Sequence, residues 1–270
     1  MRFSLAQPQR RALLALALLA PCALPAASLP ELVQAAKPAV VLVGTHAETD
    51  SPRFQFRGSG FVIGDGLSVV TAAHVLPDAL LPSERSPAAN AAAAGVVRQL
   101  VVQVWRGGSR WEQRTASVQS VSRATDLALL RLEGNPVPTL ALAPPEPTPQ
   151  EGIDVALIGF PIGGLLGFSH VTHRGVLSAV TQFVPPQNSA RQLTAAAIRQ
   201  LREAGTTLYQ LDAVAYPGNS GGPVFAIDSG QVIGVLSMSL ARSGREGALS
   251  APSGISYAIP VAALHELLKR

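Results

Sequence analysis

Residues 216–223 read Tyr216-Pro217-Gly218-Asn219-Ser220-Gly221-Gly222-Pro223, one serine set among glycines. That composition suits a particular task. A serine that attacks a carbonyl needs backbone N–H groups aimed at the oxygen that becomes negative. Backbone presents N–H groups in this way only where no side chain blocks the turn, and glycine removes the block. Gly218 and Ser220 then supply the donors, with Asn219 completing the oxyanion turn. The same string also reads as an ordinary hairpin turn, because Gly, Asn, Ser and Pro favour turns for backbone reasons alone. The choice between the two depends on whether the chain holds a base and an acid to serve the serine.

A base must take the serine's proton, and a partner must set the base's tautomer. Of the five histidines, His74 in Thr71-Ala72-Ala73-His74-Val75 stands where a strand ends and the chain turns, which places it at a lobe edge. His170 and His173 are three apart, a spacing that invites a metal pair. An odd spacing puts them on opposite faces of a strand, so they read as strand histidines, and no metal or cofactor is expected. His46 and His265 lack supporting context. Asp126 in Thr125-Asp126-Leu127-Ala128 directly precedes an apolar strand, where it either accepts from a histidine Nδ1–H or simply forms the turn. Asp212 is its rival and reads as a brace for the loop below the serine. The order His74, Asp126, Ser220 differs from the Ser–Asp–His order of α/β-hydrolases and the Asp–His–Ser order of subtilisin-like enzymes.

Apolar segments alternate with turns at short spacing, which predicts an all-β chain. Strands are expected at 39–43, 54–56, 60–63, 67–71, 100–105, 111–121 and 127–132, and again at 154–159, 171–180, 208–214, 224–227, 231–239 and 255–259. A proline-rich, aperiodic linker at 136–150 separates the two sets. Two antiparallel six-stranded β-barrels, at 28–135 and 151–259, with the active site in the cleft between them, are the simplest assembly. A short C-terminal helix at 260–270 follows. Periodicity also predicts a helix over 189–204, with Leu193, Ala197 and Leu201 on one stripe and Ser189 and Gly205 at its ends. Residues 77–95 read as a low-complexity insertion beside His74.

Residues 1–27 place Arg2, Arg10 and Arg11 before a short apolar run and then small residues, the pattern of a secretory signal peptide. The mature domain, 28–270, is then expected in a bacterial periplasm or outside the cell, with no stable membrane insertion after cleavage. Cys22 is the only cysteine and lies in the leader, which argues against a disulfide-bonded secreted protein. The leader carries three arginines and no acid, so the formal charge of +4 falls to +1 without it. No basic stripe with interleaved aromatics marks nucleic-acid binding. Nothing in the sequence indicates oligomerisation.

On these residues the chain resembles the chymotrypsin-like serine proteases and, among them, the HtrA/Deg branch, over about residues 30–265. The likeness rests on Gly58-Ser59-Gly60-Phe61-Val62, the His74 and Asp126 strings, Ile158-Gly159-Phe160-Pro161, Gly175-Val176-Leu177-Ser178, Pro217 to Pro223, Ile233-Gly234-Val235 and Gly254-Ile255-Ser256-Tyr257-Ala258-Ile259-Pro260. It implies His74 as general base, Asp126 as its orienter and Ser220 as nucleophile of an exported endopeptidase that acts on polypeptides through an acyl-enzyme. It also implies that the substrate main chain adds as a strand to Ser237-Met238-Ser239. Val214 would form the base of an apolar primary pocket that favours small or medium aliphatic residues. No PDZ domain is expected after the core. The segment 181–207, where the branch carries a sensor loop, is long and partly helical. Two other readings stay open: a catalytically silent peptide-binding protein on the same fold, and an esterase using the same triad.

Overall fold

The alternating segments pair into two closed antiparallel barrels in the computed structural model, which describes residues 28–80, 98–161, 167–183, 206–237 and 254–270. The first barrel contains β1 (Val40–His46), β2 (Phe54–Ile63), β3 (Ser68–Ala72), β4 (Gln99–Trp105), β5 (Trp111–Ser122) and β6 (Leu127–Leu132), closed in the order β1-β2-β3-β6-β5-β4. The second contains β7 (Asp154–Gly159), β8 (Val171–Phe183), β9 (Thr206–Asp212), β10 (Pro223–Ala226), β11 (Val232–Leu236) and β12 (Ile255–Pro260), in the order β10-β11-β12-β9-β8-β7. Closure removes the unpaired sheet edges that would otherwise invite association. Helix α1 (Leu29–Ala36) precedes the first barrel and α2 (Val261–Leu268) follows the second. A capping box starts α1: Ser28 N–H donates to Glu31 Oε2 at 2.8 Å, satisfying a donor the helix itself cannot.

The strand boundaries show where local pattern and tertiary contact disagree. Sequence alternation predicts two short segments at 54–56 and 60–63, yet β2 runs unbroken for ten residues. Gly58 and Gly60 look like interruptions but mark close approach. A Cβ on Gly58 would lie 2.6 Å from a Val75 methyl and 3.0 Å from the Ser220 carbonyl oxygen. Strand β9 stops at Asp212, two residues short of the predicted Val214, and His170 lies just before β8 rather than on a strand. The leader, most of the 77–95 insertion and the predicted 189–204 helix lie outside the described residues.

The linker joins the barrels by hydrogen bonds rather than tethering them loosely. Val137 and Leu140 N–H donate to the Gly66 and Val62 carbonyls of the first barrel, and Ala143 N–H donates to Val232 of the second at 2.9 Å. His265 on α2 adds a bond from Nε2 to the Ala143 carbonyl, also 2.9 Å. On another side an aromatic seam forms. Trp111 of the first barrel stacks on His170 at 5.5 Å, and Phe160 of the second packs against the same imidazole at 4.7 Å. His170 Nε2 donates to the Val40 carbonyl at 3.1 Å, so the imidazole bridges the two barrels.

Two expected outcomes follow from these contacts. Burial pushes the His170 imidazole down to about 4 from an ordinary 6.5, the bond to Val40 opposes this, and the charge of Lys37 adds to it. The unfolded chain therefore binds a proton that the folded chain refuses between those values. This contribution to stability is complete above pH 6.5 and is lost as pH falls toward 4, by up to ~3 kcal/mol. The stability advantage of the protein over its His170→Phe variant, measured by urea unfolding, should shrink across that window. Gly221 adopts φ +84°, and a Cβ there would overlap the Ser59 carbonyl oxygen and Thr71 Oγ1 while lying 2.9 Å from Ala72 N. Gly221→Ala should cost more than about 2 kcal/mol in the same assay or leave the protein insoluble.

Candidate active site

Strand β3 ends at Ala72, and a single 3-10 turn, Ala73–Val75, carries His74 out of the barrel wall. Across from it, the turn before β6 holds Asp126 at φ +53°, a left-handed conformation that aspartate tolerates better than most residues. That conformation lets one residue meet the turn three times. The Asp126 carbonyl accepts from Ala73 N–H at 2.9 Å, Oδ1 accepts from His74 N–H at 2.9 Å, and Oδ2 accepts from His74 Nδ1 at 2.7 Å. A fourth donor comes from the other barrel, where Ser237 Oγ reaches Oδ2 at 2.6 Å.

These bonds decide the protonation states. Burial works to raise the Asp126 pKa, but the His74 ring, the Ser237 hydroxyl and the His74 amide together outweigh it and hold the carboxyl below the usual carboxylate range. An ionised carboxylate only accepts, so the His74 Nδ1 that meets it carries a hydrogen, and the neutral ring is held in the tautomer whose Nε2 is free to accept. The His74 side chain is 31% exposed and that of Asp126 12%, so the imidazole edge meets solvent while its partner does not.

Ser220 belongs to the segment between β9 and β10. Asn219 N–H donates to the Tyr216 carbonyl at 3.0 Å, closing a four-residue turn with Pro217 second and Gly218 third at φ +101°. Proline second and positive φ third define a type II turn, for which glycine is the natural third residue. Gly218 N–H meets no backbone acceptor among the described residues. Ser220 is only 5% exposed, more enclosed than a solvent-facing turn. Gly221 N–H donates to Leu236 at 2.8 Å, and Leu236 N–H donates to Gly222 at 2.9 Å, so the serine hairpin lies against the end of β11. Ser237, which holds Asp126, is the next residue along. The packing of Gly221 against Thr71 and Ala72 sets the same hairpin beside the turn that bears His74.

Other candidates fall elsewhere. Asn219 does not offer its N–H as an oxyanion donor, because that group is turned inward to Tyr216, and the residue is buried with its side-chain oxygen beside Gly159. Asp212 ends β9 with its side chain exposed, and the carboxylate that meets His74 is that of Asp126. Val214 is half-buried after β9, and Met238 and Ser239 lie outside the described residues. The Ser237 side chain holds Asp126, a partnership between residues 111 apart that no local pattern signals. Among the described residues, no group of three or more His, Cys, Asp or Glu is placed to hold a metal ion.

Comparison with known proteins adds names to this geometry. A family described as the trypsin-like peptidase domain matches residues 58–235. A Halomonas elongata protein named "Probable periplasmic serine endoprotease DegP-like" is 29% identical over 204 residues, covering 76% of this chain and 32% of its own. A Pseudomonas putida protein of the same name is 29% identical over 207 residues, covering 77% and 33%. The chain thus spans about a third of the length of these curated relatives. Among solved structures, an HtrA-type protease with a tripeptide superposes with a TM-score of 0.59 at 21% identity, over 90% of this chain and 63% of that one. The serine endoprotease from Yersinia pestis gives 0.58 at 23% identity, over 90% and 66%. At such identities the superpositions speak for the fold. The match over 58–235 takes in His74, Asp126 and Ser220 alike, and the chain belongs to the trypsin-like peptidase family.

Proposed function

We propose that the protein is a serine endopeptidase in which Ser220 is the nucleophile, His74 the general base and Asp126 the group that orients it. The observation that carries this reading is the buried Asp126 carboxylate, bonded to both the amide and Nδ1 of one histidine and thereby leaving Nε2 basic. As Ser220 Oγ bonds to the scissile carbonyl carbon, its proton passes to His74 Nε2. The carbonyl oxygen takes the negative charge and is received by the Gly218 and Ser220 N–H groups. His74 then gives the proton to the leaving nitrogen as the C–N bond breaks. Water repeats the cycle on the acyl-enzyme. Asp126 stays ionised throughout.

The names of the relatives support a periplasmic location, and the pattern of residues 1–27 supports export through a signal peptide. The substrates are polypeptides whose main chain lies along residues 237–239. Val214 at the base of the primary pocket provides no carboxylate, and a cationic side chain buried against it would lack a partner at a cost of several kcal/mol. Preference therefore falls on small or medium aliphatic residues, graded softly because one methylene is worth only about 1–3 kcal/mol. Reaction with a fluorophosphonate probe separates this reading from a silent peptide binder, and digestion of unfolded casein separates it from an esterase.

Ser220→Ala should remove casein hydrolysis by a factor on the order of 10⁴–10⁶ while circular dichroism shows the fold retained. His74→Ala should match it. Asp126→Asn should lower kcat strongly through the wrong tautomer, whereas Asp212→Asn should leave kcat within about twofold, given its exposed position. A larger loss from Asp212→Asn with the fold intact would transfer the orienting role to Asp212. A peptide-library profile should show cleavage after Ala, Val or Leu, and Val214→Asp should add cleavage after Arg or Lys. A profile dominated by basic residues in the unmodified protein would exclude the apolar pocket.

A further inference from the structure

Ser59 lies on β2 of the first barrel and is fully buried, yet its bonds run to the second barrel. Its Oγ donates to the Gly218 carbonyl at 2.7 Å and accepts from Phe160 N–H at 3.1 Å. Its own N–H donates to the Ser220 carbonyl at 2.8 Å. A hydroxyl has a single proton. Because Phe160 N–H occupies an acceptor side of Oγ, that proton is directed to Gly218.

The peptide groups of the hairpin then fall into two alternating sets. The 218–219 peptide is held at both ends, by Ser59 Oγ on its carbonyl and by Tyr216 on its N–H. The 220–221 peptide is likewise held at both ends, by Ser59 N–H and by the Leu236 carbonyl. Between and beside them stand the 219–220 and 217–218 peptides, whose N–H groups are the oxyanion donors of the proposed mechanism. One residue thus fastens both neighbours of the donor peptides, once through its side chain and once through its backbone. We infer that the Ser59 hydroxyl is a positioning residue for the oxyanion donors, a role that rests on the endopeptidase reading. Preorganised donors act only if their direction is set before the charge develops, and small errors of aim are costly.

The test compares the unmodified protein with Ser59→Ala and Ser59→Cys. Cysteine keeps a donor of similar size with a weaker bond, so it provides a second measurement if the alanine variant folds poorly. A peptide substrate yields kcat and KM, and inhibition constants are taken for a peptide boronate, whose tetrahedral oxygen occupies the oxyanion position, and for a non-covalent product peptide. For Ser59→Ala, kcat should fall about 10- to 100-fold with KM changed by less than about twofold. Boronate affinity should weaken by the same factor as kcat/KM while product-peptide affinity stays constant, because only transition-state binding is affected. Fluorophosphonate labelling should reach the same final stoichiometry more slowly, and Ser59→Cys should lie between. Equal kcat in all three proteins, or parallel loss of boronate and product-peptide affinity, would overturn the role of Ser59. An unmodified protein that neither hydrolyses casein nor reacts with fluorophosphonate would instead remove the endopeptidase reading, and the positioning role with it.

Discussion

A carboxylate taken out of water must recover its solvation from the protein, and Asp126 does so at the meeting of two barrels. Burial alone would push its proton affinity up. Three groups answer that cost: the His74 amide on Oδ1, and the His74 ring and Ser237 hydroxyl on Oδ2. Two of the three come from the first barrel and one from the second. The ionised state of Asp126, the tautomer of His74 and the relative placement of the two domains are therefore linked.

A second connection runs through glycine. Gly58, Gly159, Gly218 and Gly221 meet near the serine, and at each one a Cβ would come within 3.0 Å of an atom of another segment. Close packing of backbone against backbone lets Ser59 reach across from one barrel and bond the hairpin of the other. The aromatic seam of Trp111, Phe160 and His170 supports the same junction from one side, and Phe160 supplies both its ring to that seam and its N–H to Ser59. The proposed chemistry thus depends on an interface whose apolar and polar parts share residues.

Much of this was legible in the chain because it is written locally. Hydrophobic alternation locates the strands from β4 to β8 with little error, since side-chain direction in a strand repeats every two residues whatever the strand packs against. The glycine pattern around Ser220 marks its turn because positive φ is a property of the residue itself. The strings around His74 and Asp126 stand out because each joins a polar residue to the end of an apolar run. Element ends were harder. Strand β9 stops before Val214, and β2 continues through two glycines, because pairing partners and close contacts decide where a ladder begins and stops.

The sequence by itself determined the all-β class and the two sets of strands, and it offered Ser220, His74 and two rival aspartates as candidates for the chemistry. Those are consequences of local periodicity and residue type. Only the tertiary structure decided that Asp126 rather than Asp212 meets His74, that Ser237 bonds to Asp126, that Asn219 N–H turns inward, and that Ser59 reaches Gly218. These pairs stand far apart in the chain or hinge on the direction of a single peptide. Hydrogen bonds depend on distance and angle in space, and one residue's type and position in a sequence do not specify where another segment, a hundred residues away, will place its acceptor.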